Sequence, residues 1–269
     1  MDRIGFVGSG NMAEALIKGI ITAKFYAPAN IFISDIKTER LKFLAKAYNV
    51  TAAASNAELA TKVETLVLSI KPQNLTDALN SIKGTIGKDT LIISIVAGKR
   101  VATIAAILGD IPIVRVMPNM PALISQGASA LFANQKAKPI LKKAMQIFSS
   151  VGKTVIVDDE DLLDTVTAIS GSGPAYYFLL MEEMIKAGVE LGLPEPVAKE
   201  LVLQTAKGAG MLAVESDKDA EGPAVLRQKV TSPGGTTEAA LKILAEGNFG
   251  PLIAAAVKKA RQRSQQLSN

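Results

Sequence analysis

The first part of the sequence alternates short apolar runs with longer segments of helical periodicity. The runs have the length and β-branched content of buried strands, and most of the segments between them predict helices. The predicted strands are Ile4–Val7, Ile31–Ser34, Leu66–Ile70, Leu91–Val96, Ile113–Met117, Ala128–Ala133 and Lys153–Val157. The predicted helices are Asn11–Ala23, Thr38–Tyr48, Leu75–Lys83, Val101–Leu108 and Ile140–Val151. This alternation predicts a mainly parallel sheet with helices on both faces.

A glycine pattern follows the first predicted strand and opens the first predicted helix. It reads Gly8-x-Gly10-x-x-Ala13. The first glycine permits a tight turn, the second lets the backbone approach a pyrophosphate, and the small third residue lets helix and strand pack. The phosphates would lie at the helix N-terminus, where free N–H groups and the helix dipole favour anions. We interpret the pattern as a dinucleotide-binding loop; a glycine turn without a ligand is the simpler alternative.

The end of the second predicted strand bears on the choice of dinucleotide. Residues 33–40 read ISDIKTER. An acid at this place favours NAD because it accepts a hydrogen bond from the ribose 2′-hydroxyl, and Asp35 is such an acid. Ser34, Lys37 and Arg40 are residues that accommodate the 2′-phosphate of NADP. The two indications conflict, and Lys37 and Arg40 are also ordinary solvated residues at the start of a helix.

Composition excludes several kinds of chemistry. The chain of 269 residues has no His and no Cys, which removes thiolate chemistry, disulfides, the usual zinc sites and the usual general base. The net charge of +5 is spread along the chain, so we do not expect nucleic acid as a partner. Because His and Cys are lacking, we expect no metal either. No apolar stretch reaches the length of a membrane span, and no signal-peptide pattern precedes the first strand. We expect a soluble, cytoplasmic protein.

The pattern changes after about Asp161. From there only helical periodicity is found, interrupted by clusters of Gly and Pro. We place the domain boundary near Glu160. The predicted division is a dinucleotide-binding Rossmann-like domain over residues 1–160 and an all-α domain over residues 161–269.

One of these clusters, SPGGTT at residues 232–237, stands before a predicted helix. Gly234 and Gly235 leave the backbone bare, and hydroxyl residues flank them. The free N–H groups of a helix N-terminus can hold a small carboxylate without an arginine. An ordinary N-terminal cap, with Glu238 as the capping acid, accounts for part of this pattern.

Six motifs in order give the chain a resemblance to the pyrroline-5-carboxylate reductase family over essentially its whole length. They are GFVGSGNMAEAL (5–16), SIKPQ (69–73), SIVAG (94–98), RVMPNMPA (115–122), ISGSGPAY (169–176) and SPGGTT (232–237). Met120 is a departure, because the family usually has Thr there. The resemblance implies a Rossmann domain, a helical domain that interleaves with a second subunit, and a homodimer that assembles in some members into a decamer.

The resemblance also implies an activity, the NAD(P)H-dependent reduction of 1-pyrroline-5-carboxylate to L-proline, which is the last step of proline biosynthesis. It favours NADPH as the cofactor, with NADH usable as well. The expected cofactor-binding residues are Gly8, Gly10, Asn11, Met12, Ser34, Asp35, Lys37, Asn56, Lys71, Pro72, Ala97, Gly98 and Asn119. The expected substrate-binding residues are Ser172, Gly173, Gly234, Gly235 and Thr236, and the expected catalytic residues are Thr237 and Ser232.

Two other functions stay open at the level of sequence. A dehydrogenase of 3-hydroxy acids would use a lysine on the helix after the Rossmann domain, where this chain offers Lys186, well along that helix. A regulatory homologue would bind the nucleotide without turnover. The intact motifs at residues 169–176 and 232–237 argue against the second alternative.

Overall fold

A computed structural model describes residues 2–268 of the chain. It contains two compact units, one formed by Met1–Pro174 with Lys259–Asn269 and the other by Ala175–Lys258. The predicted boundary near Glu160 was drawn from the loss of strand pattern, whereas these units reflect contacts in the folded chain. The domain division at residue 160 therefore stays a prediction.

The first unit is built on one eight-stranded sheet. Its strands are β1 (Ile4–Val7), β2 (Ile31–Ser34), β3 (Thr51–Ala52), β4 (Thr65–Leu68), β5 (Leu91–Ser94), β6 (Ile113–Met117), β7 (Gly127–Ala133) and β8 (Gly152–Ile156). Their order across the sheet is β3-β2-β1-β4-β5-β6-β7-β8. All neighbouring strands are parallel except β6 and β7. The expected mainly parallel sheet is confirmed.

Helices cover both faces of this sheet. In chain order they are α1 (Asn11–Thr22), α2 (Thr38–Tyr48), α3 (Asn56–Ala60), α4 (Leu75–Ile82), α5 (Val101–Leu108), α6 (Leu141–Ser149) and α7 (Leu162–Val166). One buried cluster packs α1 and α6 onto the sheet, with Ile17 and Phe148 fully enclosed. A second cluster packs α4 and α5, with Leu79 and Ile104 fully enclosed. Each such side chain stabilises the fold by about 1.5–3 kcal/mol.

The regular structure described in the second unit consists of helices, and the last of them continues into the first unit from Lys259. After α7 the chain runs through α8 (Gly173–Glu190), α9 (Glu195–Ser216), α10 (Pro223–Lys229), α11 (Thr236–Glu246) and α12 (Phe249–Ser268). Within residues 2–268, no single helix is long and apolar enough to span a membrane. Only α11 and α12 taken together reach that length and composition, and a bend of 53° separates them.

Several details differ from the sequence prediction. The strands predicted to reach Ile70 and Val96 end two residues earlier, because the chain leaves the sheet there to form loops. Strand β3 and helix α3 were not predicted, since two and five residues are too few for a periodic pattern. Residues 170–174 form one of the Gly and Pro clusters that were expected to interrupt the helices. In the structure they include the end of a π-helical segment, Thr167–Gly171, which leads almost directly into α8.

Candidate active site

The order of the strands opens a crevice beside β1. The chain passes outward from β1 to β2 and β3, then returns to β4 on the other side of β1. In open α/β sheets a ligand binds at the carboxyl end of the strands where the order reverses. The loops after β1 and β4 border this point.

Gly8 lies where the loop after β1 meets the residue that follows β4. Its φ angle is +90°, and a Cβ atom built on it would lie 2.6 Å from the carbonyl oxygen of Ser69, the residue after β4. Its N–H donates to the carbonyl oxygen of Ser34 at 2.8 Å. Both the backbone angle and the lack of space therefore require glycine at this position.

Gly10 has a different reason for lacking a side chain. It is the N-cap of α1, its φ angle is −71°, and a Cβ atom built on it meets nothing within 4 Å. The fold itself would accept a larger residue there. The bare backbone and the free N–H groups of the first turn of α1 fit an anionic group from outside the chain, such as a pyrophosphate.

The two residues after Gly10 face different surroundings. Asn11 is exposed at the start of α1. Met12 is half-buried and its side chain packs against the main core cluster. Met12 is therefore positioned to offer a ligand its backbone rather than its thioether.

Asp35 binds the backbone of both neighbouring loops. One carboxylate oxygen accepts the Ser9 N–H at 2.7 Å, and the other accepts the Lys37 N–H at 2.9 Å. The side chain thus ties the glycine loop to the loop after β2. Each oxygen keeps a second lone pair, so the same carboxylate can also accept a ribose hydroxyl.

Arg40 is held over the glycine loop rather than left in solvent. Its Nε donates to the Ser9 carbonyl oxygen at 2.6 Å, and its Nη2 forms an ion pair with Glu14. Tyr48 donates its hydroxyl to Glu14 at 2.8 Å. Burial acts to raise the pKa of Glu14. The hydrogen bonds from Arg40 and Tyr48 outweigh burial and hold that pKa below its usual range. Arg40 therefore joins α2 to α1, a contact that the sequence pattern did not reveal.

Ser34 and Asn56 bond to each other. The buried Ser34 hydroxyl donates to Asn56 Oδ1 at 2.6 Å, and Asn56 Nδ2 donates to Ser81 Oγ at 3.0 Å. Asn56 is not the N-cap of α3, because the Ser55 side chain accepts the Glu58 N–H and caps that helix. The Ser34 hydroxyl proton is thus directed at Asn56.

The loops after β4 and β5 also reach this edge of the sheet. Lys71 and Pro72 are exposed at the start of a short 3₁₀ turn. Ala97 is exposed, while Gly98 is buried and has a φ angle of +66°. Both loops leave the sheet at the carboxyl ends of their strands, the edge on which the switch point of the strand order opens.

Asn119 connects the end of β6 to the π-helical segment. Its Nδ2 donates to the backbone oxygen and to the Oγ of Ser170, each at 3.2 Å, and its Oδ1 accepts the Ala128 N–H at 2.8 Å. Ser172 and Gly173 follow directly, and Gly173 is buried. Asn119, in the motif at residues 115–122, is therefore brought against Ser170, in the part of the motif at residues 169–176 that lies in the first unit. Single π turns of this kind recur at functional sites.

The remaining predicted residues lie in the second unit. Ser232 and Thr236 are exposed, Thr237 is half-buried, and α11 begins at Thr236 with Gly235 as its N-cap. The Glu238 carboxylate accepts the Gly234 N–H at 2.7 Å, and the Gly235 N–H donates to the Ser232 carbonyl oxygen at 3.0 Å. The N–H groups of residues 236–238 have no acceptor inside the helix. Glu238 thus binds the Gly234 N–H and leaves the N–H groups of the first turn of α11 able to donate to a ligand.

Two surface cavities lie near predicted site residues, one in each unit. One of about 620 Å³ is lined by Lys37, Thr38, Glu39, Arg40 and Phe43, beside the loop after β2. The other, of about 690 Å³, lies among α10, α11 and α12. Its lining includes Thr231 and Glu238 but not Ser232 or Thr237. The second cavity therefore does not contain the predicted catalytic hydroxyls.

A glycine loop at the switch point of a parallel sheet, followed by a helical unit, defines a Rossmann-type dinucleotide-dependent oxidoreductase. A family model described as pyrroline-5-carboxylate reductase dimerisation matches residues 160–267, and one described as NADP oxidoreductase, coenzyme F420-dependent, matches residues 3–98. The pyrroline-5-carboxylate reductase of Pseudomonas aeruginosa is 44% identical over 268 residues, which cover 99% of this chain and 97% of that protein. The chain belongs to the pyrroline-5-carboxylate reductase family.

Solved structures agree with this assignment. A pyrroline-5-carboxylate reductase from Coxiella burnetii has a TM-score of 0.93 and 36% identity, with 100% of this chain and 99% of that chain covered. The pyrroline carboxylate reductase of Plasmodium falciparum, solved with NADP bound, has a TM-score of 0.87 and 33% identity, with coverage of 100% and 98%. The resemblance read from the six motifs is confirmed, whereas the roles of individual residues stay predictions.

Proposed function

We propose that this chain reduces 1-pyrroline-5-carboxylate to L-proline by hydride transfer to the imine carbon, with NADPH preferred and NADH usable. The reductase activity is that of the family to which the chain belongs. The observation that carries the dinucleotide part is the bare backbone of Gly10 at the open N-terminus of α1. Proline biosynthesis in the cytoplasm is the setting that we propose for it.

The chemistry requires little acid catalysis from the protein. Reduction breaks the π bond between C5 and nitrogen, places a hydride on C5 and leaves the electron pair on nitrogen. The reduced nicotinamide supplies that hydride when it is bound. A substrate that enters with its imine nitrogen protonated is already a strong electrophile. A chain without His can therefore act mainly by positioning.

We assign the substrate carboxylate to the first turn of α11. Its N–H groups at residues 236–238 point out of the helix N-terminus, where the helix dipole favours an anion. Thr237, half-buried in this turn, is the hydroxyl that we assign to the imine nitrogen. Ser232 and the glycines Gly234 and Gly235 shape the approach to it.

The preference for NADPH follows from how the acidic residue after β2 is bound. Two backbone N–H groups already donate to Asp35, which spreads its charge and weakens its repulsion of a 2′-phosphate. Lys37 is exposed and lines the adjacent cavity, so its ammonium is free to meet a phosphate there. Because Asp35 can still accept a ribose hydroxyl, NADH remains a usable donor.

Replacing Asp35 tests this account of cofactor choice. In Asp35→Ser, the negative charge near the 2′-phosphate is lost, as is the charged acceptor for the NADH ribose. A hydrogen bond to a charged group contributes about 1.5–3 kcal/mol, so kcat/KM for NADPH relative to NADH should rise by about ten- to a hundredfold.

Steady-state kinetics with both cofactors measure this ratio. The matched control is Asp89→Asn, which removes an exposed carboxylate just before β5. This residue lies at the amino ends of the strands, away from the crevice. If kcat/KM for NADPH relative to NADH is unchanged in Asp35→Ser, the carboxylate binds only the backbone of the two loops and does not contact the ribose.

The alternative of a 3-hydroxy-acid dehydrogenase receives no support from Lys186. Its ammonium is 2.8 Å from carboxylate oxygens of both Glu182 and Glu183 on the exposed surface of α8. Hydrogen bonds to these two side chains raise the pKa of Lys186 above its usual value. A lysine that must lose its proton in the reaction would need the opposite shift.

Removing the Thr237 hydroxyl tests the substrate assignment. Thr237→Val keeps the shape of the side chain and deletes the proposed bond to the charged imine, so kcat/KM for the substrate should fall by about ten- to a hundredfold. The dissociation constant of NADPH should stay near the wild-type value, because the residue is assigned to substrate.

Thr236→Val, one residue earlier and more exposed, should have a milder effect. If Thr237→Val retains the wild-type kcat/KM, the hydroxyl does not bind the imine nitrogen and serves only the structure of the helix start.

We further propose that the chain works as a homodimer in which the active site is completed, with assembly of dimers into a decamer as a further stage. The matched dimerisation model covers residues 160–267. The second unit exposes large apolar side chains, among them Met211, Val214, Ile243 and Leu252, each at least 63% accessible in the single chain. Apolar surface of this extent marks an interface, and a second copy of the helical unit has the matching character.

Sedimentation at micromolar concentration should therefore find dimers or multiples of dimers. Met211→Lys places a charge on the apolar surface and should shift the protein towards monomer with loss of turnover. Lys142→Glu, on the exposed side of α6 in the first unit, is the control for a change of charge. A fully active monomer would contradict the proposal.

A further inference from the structure

The segment after the last strand carries carboxylates that bind distant parts of the first unit. The first of them, Glu160, is half-buried. Its Oε1 accepts the Val101 N–H at 2.9 Å and pairs with Nη1 of Arg115 at 2.9 Å. Val101 is the first residue of α5, and the side chain of Arg115, in β6, is only 6% exposed. Glu160 therefore joins the start of α5 to strand β6.

The next carboxylate reaches the same loop. Asp161 forms an ion pair with Arg100 at 2.7 Å. Arg100 is the N-cap residue of α5 and belongs to the same loop as Ala97 and Gly98. Two adjacent acidic residues thus bind two adjacent residues at the end of that loop.

The third carboxylate binds the end of the chain. Asp164, only 1% exposed, accepts the hydroxyl of Ser264 at 2.6 Å, and Ser264 is itself 5% exposed. One turn later along α12, the Leu267 carbonyl oxygen lies against Gly98, 2.9 Å from where a Cβ atom would stand. The last turn of α12 therefore supports the loop from the other side.

We propose that Glu160–Asp164 is a positioning clamp for the loop Ala97–Val101. It binds the end of the loop through Glu160 and Asp161, and it seats the last turn of α12 behind Gly98 through Asp164. This inference rests on the proposed function only in that the loop borders the cofactor. A loop held in place before the cofactor arrives loses less conformational freedom on binding, so the clamp strengthens cofactor binding.

Ser264→Ala removes the buried bond to Asp164 and leaves every residue of the crevice in place. The KM values for NADPH and NADH should rise together by about three- to tenfold, while kcat and the KM for the substrate stay within twofold. In the cofactor-free enzyme, amide hydrogen exchange at residues 97–101 should become faster. Ser264→Thr, which restores a hydroxyl, should return both measurements towards wild type.

Glu160→Gln provides a second variant that keeps the shape of the side chain while weakening the bond to Arg115. It should speed exchange in the same loop, and it decides the question alone if Ser264→Ala does not fold. Asp158→Asn, an exposed carboxylate just before the clamp, is the control and should behave as wild type. The proposal would be overturned if the folded variants showed the wild-type rate of amide hydrogen exchange at residues 97–101 and the wild-type KM for the cofactors.

A fall in kcat together with a rise in the KM values of both the cofactor and the substrate would also overturn it. Such a result would indicate a general loosening of the fold rather than a loss of loop positioning. The proposed function fails separately, if the wild-type enzyme does not bind NADPH in a direct titration. Loop exchange is measured without cofactor or substrate, so the two failures are distinguishable.

Discussion

The close approach of Gly8 to the backbone at Ser69 is the constraint on which the rest of the first unit's site depends. It brings the loop after β1 against the loop after β4 at the point where the strand order reverses. A side chain at Gly8 would separate the two loops and move the first turn of α1. Asp35 and Arg40 then fix the glycine loop from the neighbouring side, through the Ser9 N–H and the Ser9 carbonyl oxygen.

Much of this arrangement could be predicted from local patterns. Strands of at least 4 residues and helices of at least 8 repeat their apolar positions often enough to be read, and the glycine spacing carries a known steric meaning. The very short β3 and α3 give no such pattern. The π-helical segment at Thr167–Gly171 was also missed, because Gly171 and the Gly and Pro that follow it are equally typical of a break between helices.

Roles that depend on tertiary partners could not be read from sequence. Asn56 follows a serine and lies two residues before an acid, a pattern that is typical of a helix start, yet its amide bonds to Ser34 and Ser81. Asp164 and Ser264 are 100 residues apart, and no local signal links them. Sequence indicated that Asp35 would face a cofactor; only the folded chain reveals that both its oxygens also hold backbone N–H groups.

The central claim is that this fold delivers a hydride to a cyclic imine. The most direct measurement follows NADPH absorbance in the purified wild-type protein with 1-pyrroline-5-carboxylate and quantifies the product. The account predicts that NADPH is consumed in step with the formation of L-proline. It would be contradicted by a protein that binds NADPH without consuming it, or that instead oxidises a 3-hydroxy acid with NADP.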